Sequence, residues 1–264
     1  MKETKLYVLS HGFMETDKSW EVFNPASIKD PNRPAVWTRT PVLTFLIVHP
    51  DVTVLFDTGC NAEGMLRRAS AIKDLIPFHG TEDEKMERRL AGLGLSPQDI
   101  DVVVMSHLHY DHAGNLGLFT KSKILVHAAE LAHALLMTRL KGNLGYSRHD
   151  FDIEGLRWEL VEEDSKIAPG LEVITLEGHT PGLLGLVVHL KETGTVICPG
   201  DAISTRNNYG PPAQMTPGIY DSLGFTRTVK KVRRLQEEYH AKLFYSHDME
   251  QYEKEMLKPP QFYV

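Results

Sequence analysis

The run His107-Leu108-His109-Tyr110-Asp111-His112 sets three imidazoles and a carboxylate within six residues. A solvated loop has no use for that density, and the spacing is rare by chance. The Val-Val-Val-Met run inside Asp101 to Ser106, just before it, predicts a buried strand. In a loop leaving a strand, alternate residues can converge on one side. His107 and His109 could then hold one metal ion, while Asp111 and His112 turn to a second. Imidazole and carboxylate suit Zn and also Fe, Mn or Co; no thiolate narrows the choice.

Three later segments share that address. Glu177-Gly178-His179-Thr180-Pro181-Gly182 puts a His at a strand end, with glycines on both sides that allow a tight turn. Val196-Ile197-Cys198-Pro199-Gly200-Asp201 ends an apolar strand on an Asp, and Phe244-Tyr245-Ser246-His247 ends the last strand on a His. Singly, each reads as an ordinary turn or an exposed His. Together, all four lie in the loop after a buried strand.

The elements that must position these residues are readable in outline. Lys5 to Ser10 reads as a strand, and residues 11 to 41, with scattered Pro and aromatics, as a long structured loop. Val42 to Val48 and Val52 to Asp57 predict a hairpin. Residues 61 to 94 read as helical pieces broken at Pro77 and Gly80, and Ser96-Pro97-Gln98-Asp99 as a capped helix start. Lys123 to Val126, Trp158 to Val161, Leu171 to Leu176, Leu184 to Leu190, Thr195 to Pro199 and Lys242 to Ser246 predict strands. Ala128 to Arg139 and Asp221 to Tyr239 predict helices. Strands-then-helix in each half suits mixed sheets with helices outside, an α+β class. No linker divides the chain, so residues 1 to 264 are expected to form one domain.

Composition excludes some functions. The chain has 264 residues, is 42% apolar and 24% charged, and carries a net charge of -6, ordinary for a globular protein. That balance argues against non-specific binding to nucleic acid or an anionic membrane. No signal-peptide core or spanning stretch is expected. Two cysteines, Cys60 and Cys198, predict a reducing, cytoplasmic setting, with both thiols buried as small apolar residues. The remaining histidines, among them His11, His127, His133, His189 and His240, read as surface or capping residues.

The ordered set His-X-His-X-Asp-His, then a distant His, an Asp and a His, resembles the signature of the metallo-β-lactamase superfamily. Leu55-Phe56-Asp57-Thr58-Gly59 resembles that family's first motif, in which the Asp is structural and not a ligand. The resemblance runs from about Lys5 to His247 and implies an αββα sandwich: two mixed β-sheets, helices on the outer faces, the site at one edge. It implies that His107, His109 and His179 hold one divalent ion, that Asp111, His112 and His247 hold the other, and that Asp201 bridges them. Zn is the first choice. Two metals about 3.5–4 Å apart can hold a hydroxide at neutral pH and polarise a carbonyl.

Within the superfamily the chain is similar to the N-acyl-homoserine-lactone lactonases, with 4-pyridoxolactonase also similar. The ending Tyr245-Ser246-His247-Asp248-Met249 fits that group. Secreted β-lactamases use a Cys at one metal, and hydroxyacylglutathione hydrolases append a helical domain; neither pattern matches. The group implies a quorum-quenching hydrolase in which bridging hydroxide opens a lactone ring, with Asp111 and Asp201 catalytic and Asp111 shuttling the proton. One position departs: the group's usual Tyr three residues after the bridging Asp is here Ser204. Tyr209 or Tyr220 could stand in as donor, and Tyr146 and His149 are expected on the pocket wall.

Two other readings keep the metals. One takes another small ester, an aromatic lactone or an activated aryl ether as substrate. The other is a metal-stabilised subunit without turnover, which would be expected to have lost ligands. Phe13, Trp20, Phe23 and Trp37 on the irregular segment suggest a homodimer in which that segment packs on the partner and roofs the site. A plain lid on its own chain is the alternative.

Overall fold

The computed structural model describes residues 3–23, 25–66, 70–140 and 145–264. Its strands are β1 (Lys5–Asp17), β2 (Trp37–Val48), β3 (Thr53–Phe56), β4 (Phe78–His79), β5 (Val102–Val104), β6 (Lys123–His127), β7 (Arg157–Val161), β8 (Ser165–Ala168), β9 (Leu171–Thr175), β10 (Leu184–Leu190), β11 (Gly194–Cys198) and β12 (Lys242–Leu243). A seven-stranded sheet runs β4-β1-β2-β3-β5-β6-β7, and a five-stranded sheet runs β12-β11-β10-β9-β8. Both sheets are mixed. β3, β5, β6 and β7 are mutually parallel and β1–β2 is antiparallel. In the second sheet only β11–β12 is parallel.

Side-chain alternation builds three apolar layers. Leu43, Phe45 and Ile47 on β2 and Val102 and Val104 on β5 face Leu184, Leu186 and Val188 on β10 in the core between the sheets. The odd partners, Leu46 and Val103, face outward and pack under Met86, Leu90 and Ala134 of the outer helices. Across the molecule, Val187 and Ile197 pack against Phe225, Val229, Val232 and Leu235 of the helix Ser222–Tyr239. Those four recur at helical spacing. Asp221 caps that helix by accepting from Leu223 N at 2.9 Å, and His240 ends it at φ 49°. Each buried Leu, Ile, Val or Phe contributes roughly 1.5–3 kcal/mol, so the sandwich is an αββα stack held by apolar burial on both faces of both sheets.

The largest departure from the sequence expectation is at residues 11 to 41. β1 runs on to Asp17 and β2 starts at Trp37, so a long ribbon replaces much of the expected loop, with pairing from Phe13↔Pro41 to Asp17↔Trp37. Gly12 and Pro41 read as breakers, but they fall at the register shift between Ser10 and Phe13, where a bulge tolerates both. The helix start at Ser96 is a single turn, Pro97–Asp99, closed by Ser96 N and Oγ donating to Asp99 at 2.8 and 2.7 Å. β4 and β8 were not anticipated; both are short. Of the helical pieces expected over 61 to 94, residues 67–69 lie outside the described residues.

Because β9, β11 and β12 run the same way in their sheet, their carboxyl ends open on one edge of the sandwich. The backbone joins that edge to the end of β5, where Leu184 N donates to Ser106 O at 2.8 Å.

Candidate metal centre

Asp57 follows β3 and organises the first ligand loop. Its backbone N donates to Val104 O at 2.9 Å, and its buried carboxylate accepts from Ser106 N and Ser106 Oγ, both at 2.7 Å. The same carboxylate accepts from His112 Nδ1 at 2.8 Å. Thr58 donates its N and Oγ1 to His112 O at 2.7 and 2.8 Å. The strand-end loop is thereby pinned, and Asp111 and His112 sit in the short helix Tyr110–Ala113.

The other strand ends complete the set. Gly178, at φ 138°, lets the chain turn before His179; a Cβ there would lie 2.7 Å from Phe225 N. Asp201 follows β11, and Ser246 Oγ donates to its Oδ1 at 2.7 Å. His247 donates Nδ1 to Pro41 O at 2.8 Å, and its backbone N donates to Ser204 O at 3.0 Å.

The seven residues named from the sequence are brought together. Three overlapping groups form: His107, His109 and His179; His107, His112 and Asp201; and Asp111, His112 and His247. The candidate ligand atoms within each lie within 4.8 Å of one another. His109 Nδ1 lies 3.0 Å from His107 Nε2 and 3.2 Å from His179 Nε2. His247 Nε2 lies 3.3 Å from His112 Nε2 and 3.4 Å from Asp111 Oδ2. Asp201 stands between the groups. Its Oδ1 faces His247 and His112 at 3.2 and 3.4 Å, and its Oδ2 faces His179 at 3.7 Å.

This donor set fits metal ions. A tetrahedral ion with arms of about 2.0–2.1 Å has edges of about 3.3–3.4 Å, close to the observed nitrogen separations. Asp57, Pro41 O and Ser106 Oγ occupy the Nδ1 atoms of His112, His247 and His107. That leaves each Nε2 lone pair aimed at its neighbours. The 3.0 Å gap between His107 Nε2 and His109 Nδ1 suits either a shared proton or a metal ion, and the convergence of seven such residues favours the ion.

Electrostatics agree. Burial, then neighbouring imidazoles, holds His107 well below the ordinary histidine value and His109 at about 3, so both are neutral and ready to ligate. Burial pushes the Asp111 and Asp201 carboxyls up, but His112 and His247 outweigh it and keep both ionised. Burial likewise pushes His112 and His247 down, and Asp201 and Asp111 reverse it, so without metal both hold a proton on Nε2 that a bound ion would displace.

A cavity of about 700 Å³ opens over the centre. Met14, Trp20, Ile76 and Met137 make its apolar walls, and Ser204, Tyr146 and Tyr220 also line it. Ser204 is buried, and its hydroxyl donates to Asp201 O at 3.4 Å. Two expected pocket residues are elsewhere. His149 lies exposed on the helix Arg148–Phe151, and Tyr209 spends its hydroxyl on the Gln236 side chain. Neither lines the cavity.

Three residues escaped the sequence reading. His133, taken as a surface residue, lines the cavity, its ring 5.6 Å from Tyr146 and 5.1 Å from Tyr220. His11, taken likewise, is buried between β2 and the Glu82–Glu84 turn. Glu130 is fully buried beneath the ligand loop, accepting from Leu108 N at 2.9 Å and Tyr146 Oη at 3.0 Å. The one usable signal was an acid alone in the apolar stretch Ala128–Met137.

The sequence profile of the metallo-β-lactamase superfamily matches residues 37–247. The N-acyl homoserine lactonase AiiB of Agrobacterium fabrum is 36% identical over 263 residues, covering 94% of this chain and 95% of its own. Among solved structures, a variant of the Bacillus thuringiensis lactonase AiiA with N-decanoyl-L-homoserine bound at its active site matches with a TM-score of 0.84 and 25% identity, covering 100% of both chains. An N-acyl homoserine lactone hydrolase with N-hexanoyl-L-homoserine bound at its catalytic metal centre matches equally, with a TM-score of 0.84, 25% identity and 100% of both chains covered.

Proposed function

The chain belongs to the metallo-β-lactamase superfamily, and on that footing we propose that it is a dinuclear metallohydrolase opening the ring of N-acyl-homoserine lactones. One observation carries the reading. A convergent His/Asp set, with Asp201 between its two halves, forms the floor of a cavity walled by Met14, Trp20, Ile76 and Met137. A small polar ring that reacts and an apolar tail that packs match that combination. The lactonases named above support the same substrate class.

His107, His109 and His179 would hold one divalent transition metal, Asp111, His112 and His247 the other, with Asp201 shared. Zn suits the donors best; Fe, Mn or Co fit as well. Such a pair supplies an activated water at neutral pH and a Lewis acid for the carbonyl. The chain's own groups do the rest. Asp111, whose Oδ2 lies 3.4 Å from both His112 Nε2 and His247 Nε2 at the cavity floor, is the group to take a proton and pass it to the leaving ring oxygen. The Tyr146 hydroxyl is committed to Glu130, so its ring shapes the wall and does not donate. Tyr220, exposed at the mouth, has a phenol without a hydrogen-bond partner among the described residues, where Ser204 offers only a short hydroxyl. The same site could take another small ester, an aromatic lactone or an activated aryl ether, in the space left where Ser204 replaces a Tyr.

We read the whole chain as one domain, cytoplasmic by its two buried free thiols and homodimeric through the exposed Phe23, Ile28 and Trp37. No helix of the described residues is long and apolar enough to cross a membrane. The functional test is a panel of N-acyl-homoserine lactones, aromatic lactones, simple esters and aryl ethers, with products read by mass spectrometry. Ring-opened N-acyl-homoserine at the highest kcat/KM is expected. Preference for an aryl ester or ether would overturn the lactone reading and leave the metal site standing.

A further inference from the structure

The helix Ala128–Met137 follows β6 on the outer face of the seven-stranded sheet. It contributes no candidate ligand, yet its first turn carries a fully buried carboxyl. Burying a carboxyl among apolar helix residues is costly unless its oxygens are used. Glu130 uses one oxygen twice. Oε1 accepts from Leu108 N, the backbone between ligands His107 and His109, and from Tyr146 Oη. Tyr146 in turn bridges to His109 by backbone pairing and sets its ring edge-on to the His109 ring, centroids 4.5 Å apart. Gly145, beside it, is the close-approach point: a Cβ there would lie 2.4 Å from His109 Cδ2.

The loop that carries His179 packs on the same helix turn, where a Cβ at Gly182 would lie 2.6 Å from Glu130 N. Glu130 Oε2 and the Thr180 hydroxyl are both buried without a partner at bonding distance among the described residues. The Thr180 hydroxyl bears on the Glu130 carboxyl. Thr180 directly follows His179. One carboxyl thus stands against the segments that carry His107, His109 and His179, and against none that carries Asp111, His112 or His247 beyond the shared loop.

We propose that Glu130 is a positioning residue for one half of the metal centre: it aligns His109 and His179 through Leu108 N, Tyr146 and Thr180, and so sets the affinity of the three-histidine position. The role rests on oxygen as acceptor, not on negative charge, because the donors are an amide and hydroxyls. A Gln keeps the acceptor in place, and its amide nitrogen can donate to Thr180 Oγ1. An Ala removes both functions and takes away the buried acceptor shared by Leu108 N and Tyr146 Oη.

This inference rests on the two-ion reading of the site, and the test separates the two. Full-length protein is stripped of metal and titrated with Zn²⁺ against a chromophoric chelator, and with Co²⁺ followed by its visible absorption. His109→Ala and His247→Ala serve as references for loss of either position. Glu130→Ala is expected to weaken one ion about 10–100-fold, the range for removing a group that orients a ligand. The other ion keeps its affinity, and the Co²⁺ spectrum at one equivalent resembles that of His109→Ala. Glu130→Gln should bind both ions within about threefold of wild type. Tyr146→Phe, which keeps the carboxyl and the amide contact, should weaken the same ion by a smaller factor and serves if Glu130→Ala does not fold. Equal weakening of both ions, wild-type affinities in Glu130→Ala or Tyr146→Phe, or a Gln variant as poor as Ala would each overturn the inference. Wild-type protein binding fewer than two ions would overturn the dinuclear reading, and this inference with it.

Discussion

Asp57 sits at φ 62°, a left-handed conformation that costs a non-glycine residue of order 1 kcal/mol or more. The strain places one carboxylate where it can accept from Ser106 N, Ser106 Oγ and His112 Nδ1 at once. Asp57→Asn substitutes an amide nitrogen that cannot accept. We expect metal affinity to fall about 10–100-fold with the fold retained, as read by chelator competition and circular dichroism; unchanged affinity would show that His112 needs no such partner. Ser204→Ala should change kcat/KM on the best lactone by less than about tenfold, or 1.4 kcal/mol, because the hydroxyl makes only a long bond to Asp201 O. A larger loss would give Ser204 a part in the chemistry. At this scale the ligands were readable because four short segments repeat one address after a strand. Glu130 and His133 were hidden because two polar residues one turn apart on an otherwise apolar helix read as an ordinary exposed face. His149 and Tyr209 were misplaced because proximity along the chain to site residues does not set where a side chain ends.

The β1–β2 ribbon is where element-level reading failed and where a pH effect belongs. Gly and Pro mark breaks in isolated strands, but a bulge absorbs both and the pairing continues beyond them. Strands with continuous apolar runs, such as β10, were placed correctly because burial on both faces leaves a plain signal. His11 lies at that bulge. Its Nδ1 donates to Glu84 O at 3.0 Å and its Nε2 accepts from Thr44 Oγ1 at 2.9 Å. Burial holds its pKa at about 4, against about 6.5 when unfolded. The unfolded chain therefore takes up the proton first as pH falls. Stability from the neutral ring is complete above about pH 6.5 and is lost toward pH 4, a contribution of about 3 kcal/mol. Thermal melts of metal-stripped wild type and His11→Gln from pH 7 to 4 should converge as pH falls. Parallel curves would mean that His11 is not the titrating group.

On the scale of the whole molecule, the segment between β1 and β2 roofs the site from its own chain. Trp20 lines the cavity, and Glu21 accepts from Thr205 Oγ1 and Asn207 Nδ2 at 3.1 and 2.6 Å. Phe23, Ile28 and Trp37 are left exposed at 69, 97 and 58%, more apolar surface than a lid needs. Light scattering at micromolar concentration should give twice the chain mass; a monomer would leave that surface without the partner we assign it. The central claim, that two ions held by these seven residues open a lactone ring, is tested most directly by following activity and metal content in one titration. Metal-stripped protein is given Zn²⁺ in steps, and hydrolysis of an N-acyl-homoserine lactone is read at each step by acid release. The account predicts almost no activity without metal and full activity at two ions per chain. Full activity without metal, or two bound ions and no ring opening, would contradict it.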